Sequence, residues 1–286
     1  MNKKLFDAYI ELTKPSINAL ILVTTALGFF LADGFHHPGK MLIALLGAAL
    51  TCAGSGVLNH YLERDVDALM ERTRRRPIPT GLIKPEEALS FGICLILIGL
   101  SILCVGVNLL TAFLSLLTSF LYVIVYTPMK RLSWLNTTIG AIPGAIPAMG
   151  GWAAARGELG IEAWILFLIL FTWQHPHFYS IAWIFKEDYK KAGFQMLPVV
   201  YPDSRFTIAQ IMLFSFALIG FSIMPSLIGM TGKYYFWGAL LLGGLLVWYA
   251  WQFQKDPSKL NARKILLSTV AYLPLLFILI LVDNIF

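Results

Sequence analysis

Apolar residues in this chain gather into nine long runs separated by short polar stretches, roughly 16–33, 42–62, 89–107, 109–127, 135–155, 161–185, 207–229, 234–253 and 265–284. Each run is about 17–25 residues, the length that crosses ~30 Å of hydrocarbon at about 1.5 Å per residue. Within a bilayer a helix satisfies its own backbone groups. The pattern therefore predicts an all-α, polytopic membrane protein, with about nine transmembrane helices forming one integral-membrane domain over residues 1–286. The runs differ in kind. The second, fifth and sixth contain Gly, Pro, Asn, Gln or His, whereas the last three are almost purely apolar. The first-half helices and the sixth are expected to line a central cavity and the late ones to close it.

Composition agrees. The chain is 58% hydrophobic and 13% charged, about half the charged share of a soluble domain, which excludes a soluble enzyme, a disordered chain and a collagenous or disulfide scaffold. Cys52, Cys94 and Cys104 lie in apolar runs without a CxxC pair and read as small buried hydrophobes rather than disulfide or zinc ligands. A net charge of +6 would suit nucleic acid in a soluble protein, but here it reports topology, and no nucleic-acid partner is expected. With the N-terminus inside, 19 of the 22 Lys and Arg residues fall on the cytoplasmic side, leaving Lys40, Arg156 and Lys233 outside. The topology is N-in, C-out. The first run begins after Lys14-Pro15, is long enough to span, and reads as a retained helix rather than a cleaved signal.

Charge concentrates in two cytoplasmic loops, about 63–88 and 186–206. The first mixes six basic residues with six acidic ones, more than topology requires. If the second helix continues into it, Asn59, Glu63 and Asp67 recur at i, i+4 and i+8 and share one stripe, drifting about 40° over two turns. Stacked carboxylates repel unless a divalent cation lies between them, and Mg²⁺ takes one or two carboxylates together with substrate phosphate oxygens. Arg72 and Arg76, again i and i+4, offer forked donors suited to phosphate. The bland alternative is a solvated loop whose acids and bases pair with each other. Against it, the stripe starts inside an apolar segment, where polar groups are costly and usually functional.

A second constellation is Trp173-Gln174-His175-Pro176-His177-Phe178-Tyr179, followed by Asp188 and Tyr189. Helical spacing places Gln174, His177 and Asp188 within about 60° of one another and His175 about 160° from His177, a phase that Pro176 makes approximate. Two histidines among aromatics suggest a metal, a haem iron or proton transfer; a hydrogen-bonding histidine inside the bundle is the plain alternative. The third is Tyr126-Thr-Pro-Met-Lys130-Arg131, then Asn136 and the Gly/Pro-rich run 140–147. Lys130 and Arg131 suit a diphosphate, and topology explains them equally well. The Gly/Pro-rich helix allows close packing or room for a bulky ligand.

Taken together, these motifs resemble a known family. Asn59-x-x-x-Glu63-x-x-x-Asp67 with Arg72-Thr-x-x-Arg76-Pro77 resembles the first signature of UbiA-type intramembrane prenyltransferases, with Glu63 where many members carry Asp. Tyr126 to Arg131 is similar to that family's Tyr-x-x-x-Lys-Arg element. The second acidic signature of the quinone-type members is largely absent. In its place stand residues 173–178 with Asp188-Tyr189, which resemble the haem-farnesylating branch. One departure is the stretch Gly144 to Gly150, where that branch often has a double proline. The resemblance covers about residues 10–285.

It implies nine helices around a lipid-open cavity in the cell (inner) membrane, with metal and diphosphate at the cytoplasmic end. It implies farnesyl diphosphate as donor and haem b as acceptor, a substrate rather than a prosthetic group, giving haem O and diphosphate. The product would pass to a terminal oxidase or to haem A synthase. On this resemblance Glu63 and Asp67, with Asn59 and Asp188, hold Mg²⁺. Arg72, Arg76, Lys130 and Arg131 neutralise the leaving group, and Asn136, Gln174 and Tyr189 bind substrate. His177 or His175 binds the haem iron or a propionate, or takes a proton. The rival readings are prenyl transfer to a quinone precursor or another tetrapyrrole and, from a different class, a secondary transporter, whose ionisable residues would sit near the midplane rather than at one rim.

Overall fold

A computed structural model describes residues 3–33 and 36–285. The elements in order are α1 (Lys3–Leu12), α2 (Pro15–Asp33), α3 (Pro38–Asp67), α4 (Pro85–Gly106), α5 (Leu109–Phe120), a π-helical turn (Leu121–Tyr126), α6 (Thr127–Leu132), α7 (Asn136–Arg156), α8 (Ile161–Ile184), α9 (Lys186–Lys191), α10 (Leu197–Val200), α11 (Ser204–Leu227), α12 (Lys233–Lys255) and α13 (Lys259–Ile285). Among the described residues seven stretches are long and apolar enough to cross a membrane: α2, α3, α4, the rod from α5 to α6, α11, α12 and α13. The protein is a multi-pass membrane protein. The fifth and sixth expected segments are α7 and α8, with 21 and 24 residues. They have the length, but the Gly, Pro, Gln and His content that sets them apart in sequence dilutes their hydropathy, so they fall outside the seven that combine length with apolar composition. Leu97, Val105, Leu213, Trp237 and Leu241 point outward, as lipid-facing side chains do.

α3 packs on α4, α2 on α7, and α8 against α7, α11 and α13. The α2–α7 crossing depends on two glycines. A Cβ on Gly28 would stand 2.0 Å from the Ala148 carbonyl oxygen, and one on Gly151 would stand 1.9 Å from that of Thr25. Small residues let membrane helices meet backbone to backbone in this way.

Three expectations need correction. The late helices do not close the cavity. They pack behind α8, and among the described residues of α11, α12 and α13 only Leu273 of α13 borders it. The loop expected from residue 63 begins at 68, because α3 stays helical through Asp67, while the stretch 186–206 contains α9 and α10. The cysteines are free thiols, but Cys94 and Cys104 are exposed and Cys52 only partly buried. In lipid an apolar thiol needs no interior position.

Candidate active site

Because α3 remains helical, Asn59, Glu63 and Asp67 stand on one face and line a cavity of about 520 Å³. Asn59 and Asp67 have no exposed surface and Glu63 has 7%. Each carboxylate has a cation. Lys130 Nζ donates to Glu63 Oε1 at 2.7 Å, and Arg76 Nη1 donates to both oxygens of Asp67 at 2.8 and 2.7 Å. Arg72 and Arg76 sit in a run of turns rather than on a helix, yet both border the cavity. The turns are tied to the end of α3 by the Thr73 hydroxyl, which donates to the Asp67 carbonyl at 2.8 Å. Arg72 lies over the rings of Phe185 and Tyr189, 5.5 and 4.8 Å from their centroids, a cation–π cradle that places Tyr189 on the cavity wall.

Lys14 is a site residue that sequence reading treated only as topology. It joins α1 to α2 with φ at 51°, the left-handed region, where a non-glycine residue usually marks a functional constraint. Its Nζ donates to Asn59 Oδ1 and, at 3.3 Å, to the Tyr122 hydroxyl. Asn59 Nδ2 in turn donates to Thr127 Oγ1 at 2.9 Å. Burial, with Lys130 nearby, pushes the Lys14 ammonium down to about 7. The sequence signal was its position directly before Pro15, at the mouth of the first span. Tyr122 and Tyr126, also on the wall, come from the π-helical turn. Pro128 lies just beyond it and has no N–H for the Ile124 carbonyl, so the helix widens there, and the Tyr122 carbonyl accepts from the Thr127 backbone N–H and, at 2.9 Å, from the Thr127 hydroxyl.

α8 runs unbroken through Pro176, so the phase read from sequence holds across it. His177 and Gln174 face the cavity, and Gln174 Nε2 donates to the Ala141 carbonyl at 3.0 Å. His175 turns the other way. Its Nδ1 lies 2.8 Å from the Phe171 carbonyl oxygen and its Nε2 3.2 Å from Thr138 Oγ1, and its ring stacks on Phe214 at 3.5 Å. It is a core residue.

Four expected site residues are not brought to the cavity: Arg131, Asn136, His175 and Asp188. Arg131 is exposed. Asn136 is buried as a latch, donating to the carbonyls of Ser133 and Gln195 at 2.8 and 2.9 Å. Asp188 is half-buried on α9. Its expected phase extended the α8 helix past Phe185, where α8 ends and the backbone turns. Among the described residues no group of three or more His, Cys, Asp or Glu side chains could hold a metal ion, so Glu63, Asp67 and Asp188 do not form the expected set. What remains, two carboxylates and one amide oxygen, is an all-oxygen donor set of the kind a hard cation uses when phosphate and water complete its shell.

The profile of the UbiA prenyltransferase family matches residues 21–279. The chain belongs to the UbiA prenyltransferase family. Similar relatives include a protoheme IX farnesyltransferase of Solibacter usitatus, 45% identical over 96% of this chain and 98% of that one, and another of Salinibacter ruber, 42% identical with the same coverage of each. Solved structures share the UbiA fold at low identity. A digeranylgeranylglyceryl phosphate synthase superposes with a TM-score of 0.83 at 18% identity over 99% of both chains. A UbiA homologue from Archaeoglobus fulgidus bound to DMAPP and Mg²⁺ does so at 0.69 and 19% identity, over 96% of this chain and 99% of that one.

Proposed function

We propose that this UbiA-family chain, acting as one domain in the cell inner membrane, transfers a farnesyl group from farnesyl diphosphate to a vinyl group of haem b, with addition of water, giving haem O and diphosphate. The carrying observation is the cavity itself: a charged rim of Lys14, Glu63, Asp67, Arg72, Arg76 and Lys130 at one end of a chamber whose walls are otherwise mostly apolar and aromatic, with His177 among them. The name of relatives matching nearly the whole chain supports the choice of donor and acceptor.

Asn59, Glu63 and Asp67 are the residues that would hold Mg²⁺, which when bound supplies Lewis-acid neutralisation of the diphosphate. Arg76 and Lys130 keep the two carboxylates aimed at that position. Four cations face two carboxylates, and the surplus positive charge is preorganised for the charge that builds on the leaving oxygen, the kind of electrostatic help that dominates many rate enhancements. As the carbon–oxygen bond breaks, its electron pair leaves with diphosphate and the allylic cation faces the rings of Tyr122, Tyr126, Trp173 and Phe178. The vinyl π electrons form the new carbon–carbon bond. Water then adds to the resulting carbocation beside the ring and loses a proton. The product would pass to haem A synthase or a terminal oxidase.

Purified protein in lipid nanodiscs, given haem b, farnesyl diphosphate and Mg²⁺, should yield haem heavier by one farnesyl group and one water in mass spectrometry. Prenylation of a phenolic quinone precursor with haem left unmodified would overturn this reading.

A further inference from the structure

α13 gives the cavity wall one side chain, yet it reaches the site a second time through His177. His177 Nδ1 lies 3.0 Å from Thr269 Oγ1, and that hydroxyl lies 2.7 Å from the carbonyl oxygen of Leu266, one turn back. A threonine hydroxyl carries one proton. Given to Leu266, it leaves Oγ1 as an acceptor, so the proton shared between the two side chains belongs to His177 Nδ1. A neutral imidazole carries one N–H, and Nε2 is therefore left with its lone pair. Nε2 has no protein partner among the described residues, and the ring borders the cavity. The reverse arrangement would leave an N–H at Nε2 facing a mostly apolar chamber with nothing to receive it, which is costly.

Thr269 does more than orient one ring. It is fully buried, and its carbonyl accepts the Trp173 Nε1–H at 2.8 Å. Trp173 stacks on His177 with 4.8 Å between centroids and 21° between planes. One residue of α13 thus holds the indole by its backbone and the imidazole by its side chain, and the stacked pair has little freedom to turn. Histidines that bind metals nearly always donate the second ring N–H to an outer partner that fixes tautomer and orientation. His177 is already arranged in that manner.

We propose that Thr269 is a positioning residue that locks His177 in its Nδ1-protonated tautomer and so presents Nε2 as an axial ligand to the iron of the porphyrin acceptor. This rests on the reading of haem b as acceptor. The lone pair of Nε2 forms the coordinate bond; no proton or electron is exchanged.

The test is titration of the full-length protein in nanodiscs with ferric haem b, without farnesyl diphosphate, followed by Soret absorption and electron paramagnetic resonance. Wild-type protein should show an imidazole-ligated iron and His177→Ala should lose that signature. Thr269→Val should bind haem about 10–100-fold more weakly, the usual effect of removing such an outer partner, with a changed spectrum and an unchanged melting temperature, while Thr269→Ser should restore both. Thr269→Ala, which adds no bulk, serves if valine prevents folding. A signature that survives in His177→Ala, or Thr269 variants that bind and absorb like wild type while haem is still farnesylated, would overturn the proposal and leave the reaction standing. Wild-type protein that neither binds nor modifies haem would overturn both.

Discussion

Lys14 shows how much one side chain can owe to the backbone that carries it. Its left-handed φ marks the junction of α1 and α2, and its ammonium donates to Asn59 and Tyr122, one on α3 and the other on the π-helical turn. A charge-assisted hydrogen bond is worth about 1.5–3 kcal/mol. Lys14→Met should therefore lower kcat/KM for farnesyl diphosphate about 10–100-fold, measured by haem O formation, while insertion into the membrane is preserved. Beyond its position directly before Pro15 the sequence did not announce this role, because 45 positions separate Lys14 from Asn59 and no helical period links them. Asn59, Glu63 and Asp67 were legible for the opposite reason: one helix carries all three, and its period is known in advance. Asp188 was misplaced by the same arithmetic, continued past Phe185 where the helix it assumed had ended.

Among the elements, the nine apolar runs foretold the helices well, since hydrocarbon thickness sets their length and leaves little choice of secondary structure. Which helices would surround the cavity was legible in part. Polar content marked α3, α7 and α8 correctly, but the purely apolar late helices gave no sign that they pack behind α8 rather than across the chamber. The α2–α7 crossing was invisible for another reason, since a glycine that opens room for a ligand and one that admits a neighbouring backbone look alike in sequence. Gly150, which borders the cavity and whose Cβ would meet nothing within 4 Å, does the first, and Gly151 does the second. Gly28→Val would drive side-chain carbon into the Ala148 carbonyl and force the helices apart. It should destabilise the protein by about 3 kcal/mol, the upper end for overpacked interiors, seen as a lower melting temperature and poor recovery from detergent.

At the scale of the whole molecule, the charged residues that border the cavity come from α3, α6, the 68–84 turns and the α1–α2 junction, and they meet at one end of a lipid-coated bundle. None comes from the apolar helices α11 to α13. On the proposed chemistry the oxygen donors of α3 need a divalent ion to receive the donor's headgroup, so EDTA should abolish turnover and added Mg²⁺ should restore it, by the same mass assay. Turnover that persists in EDTA would remove the metal from the scheme. The excess of cations over carboxylates at that rim has a consequence for the end of the cycle as well. The group expelled from the isoprenoid bears the very charge the rim is set to hold, so affinity that helps the reactant arrive also delays the exit of the spent headgroup. Under that chemistry inorganic pyrophosphate competes with fresh donor for the same rim.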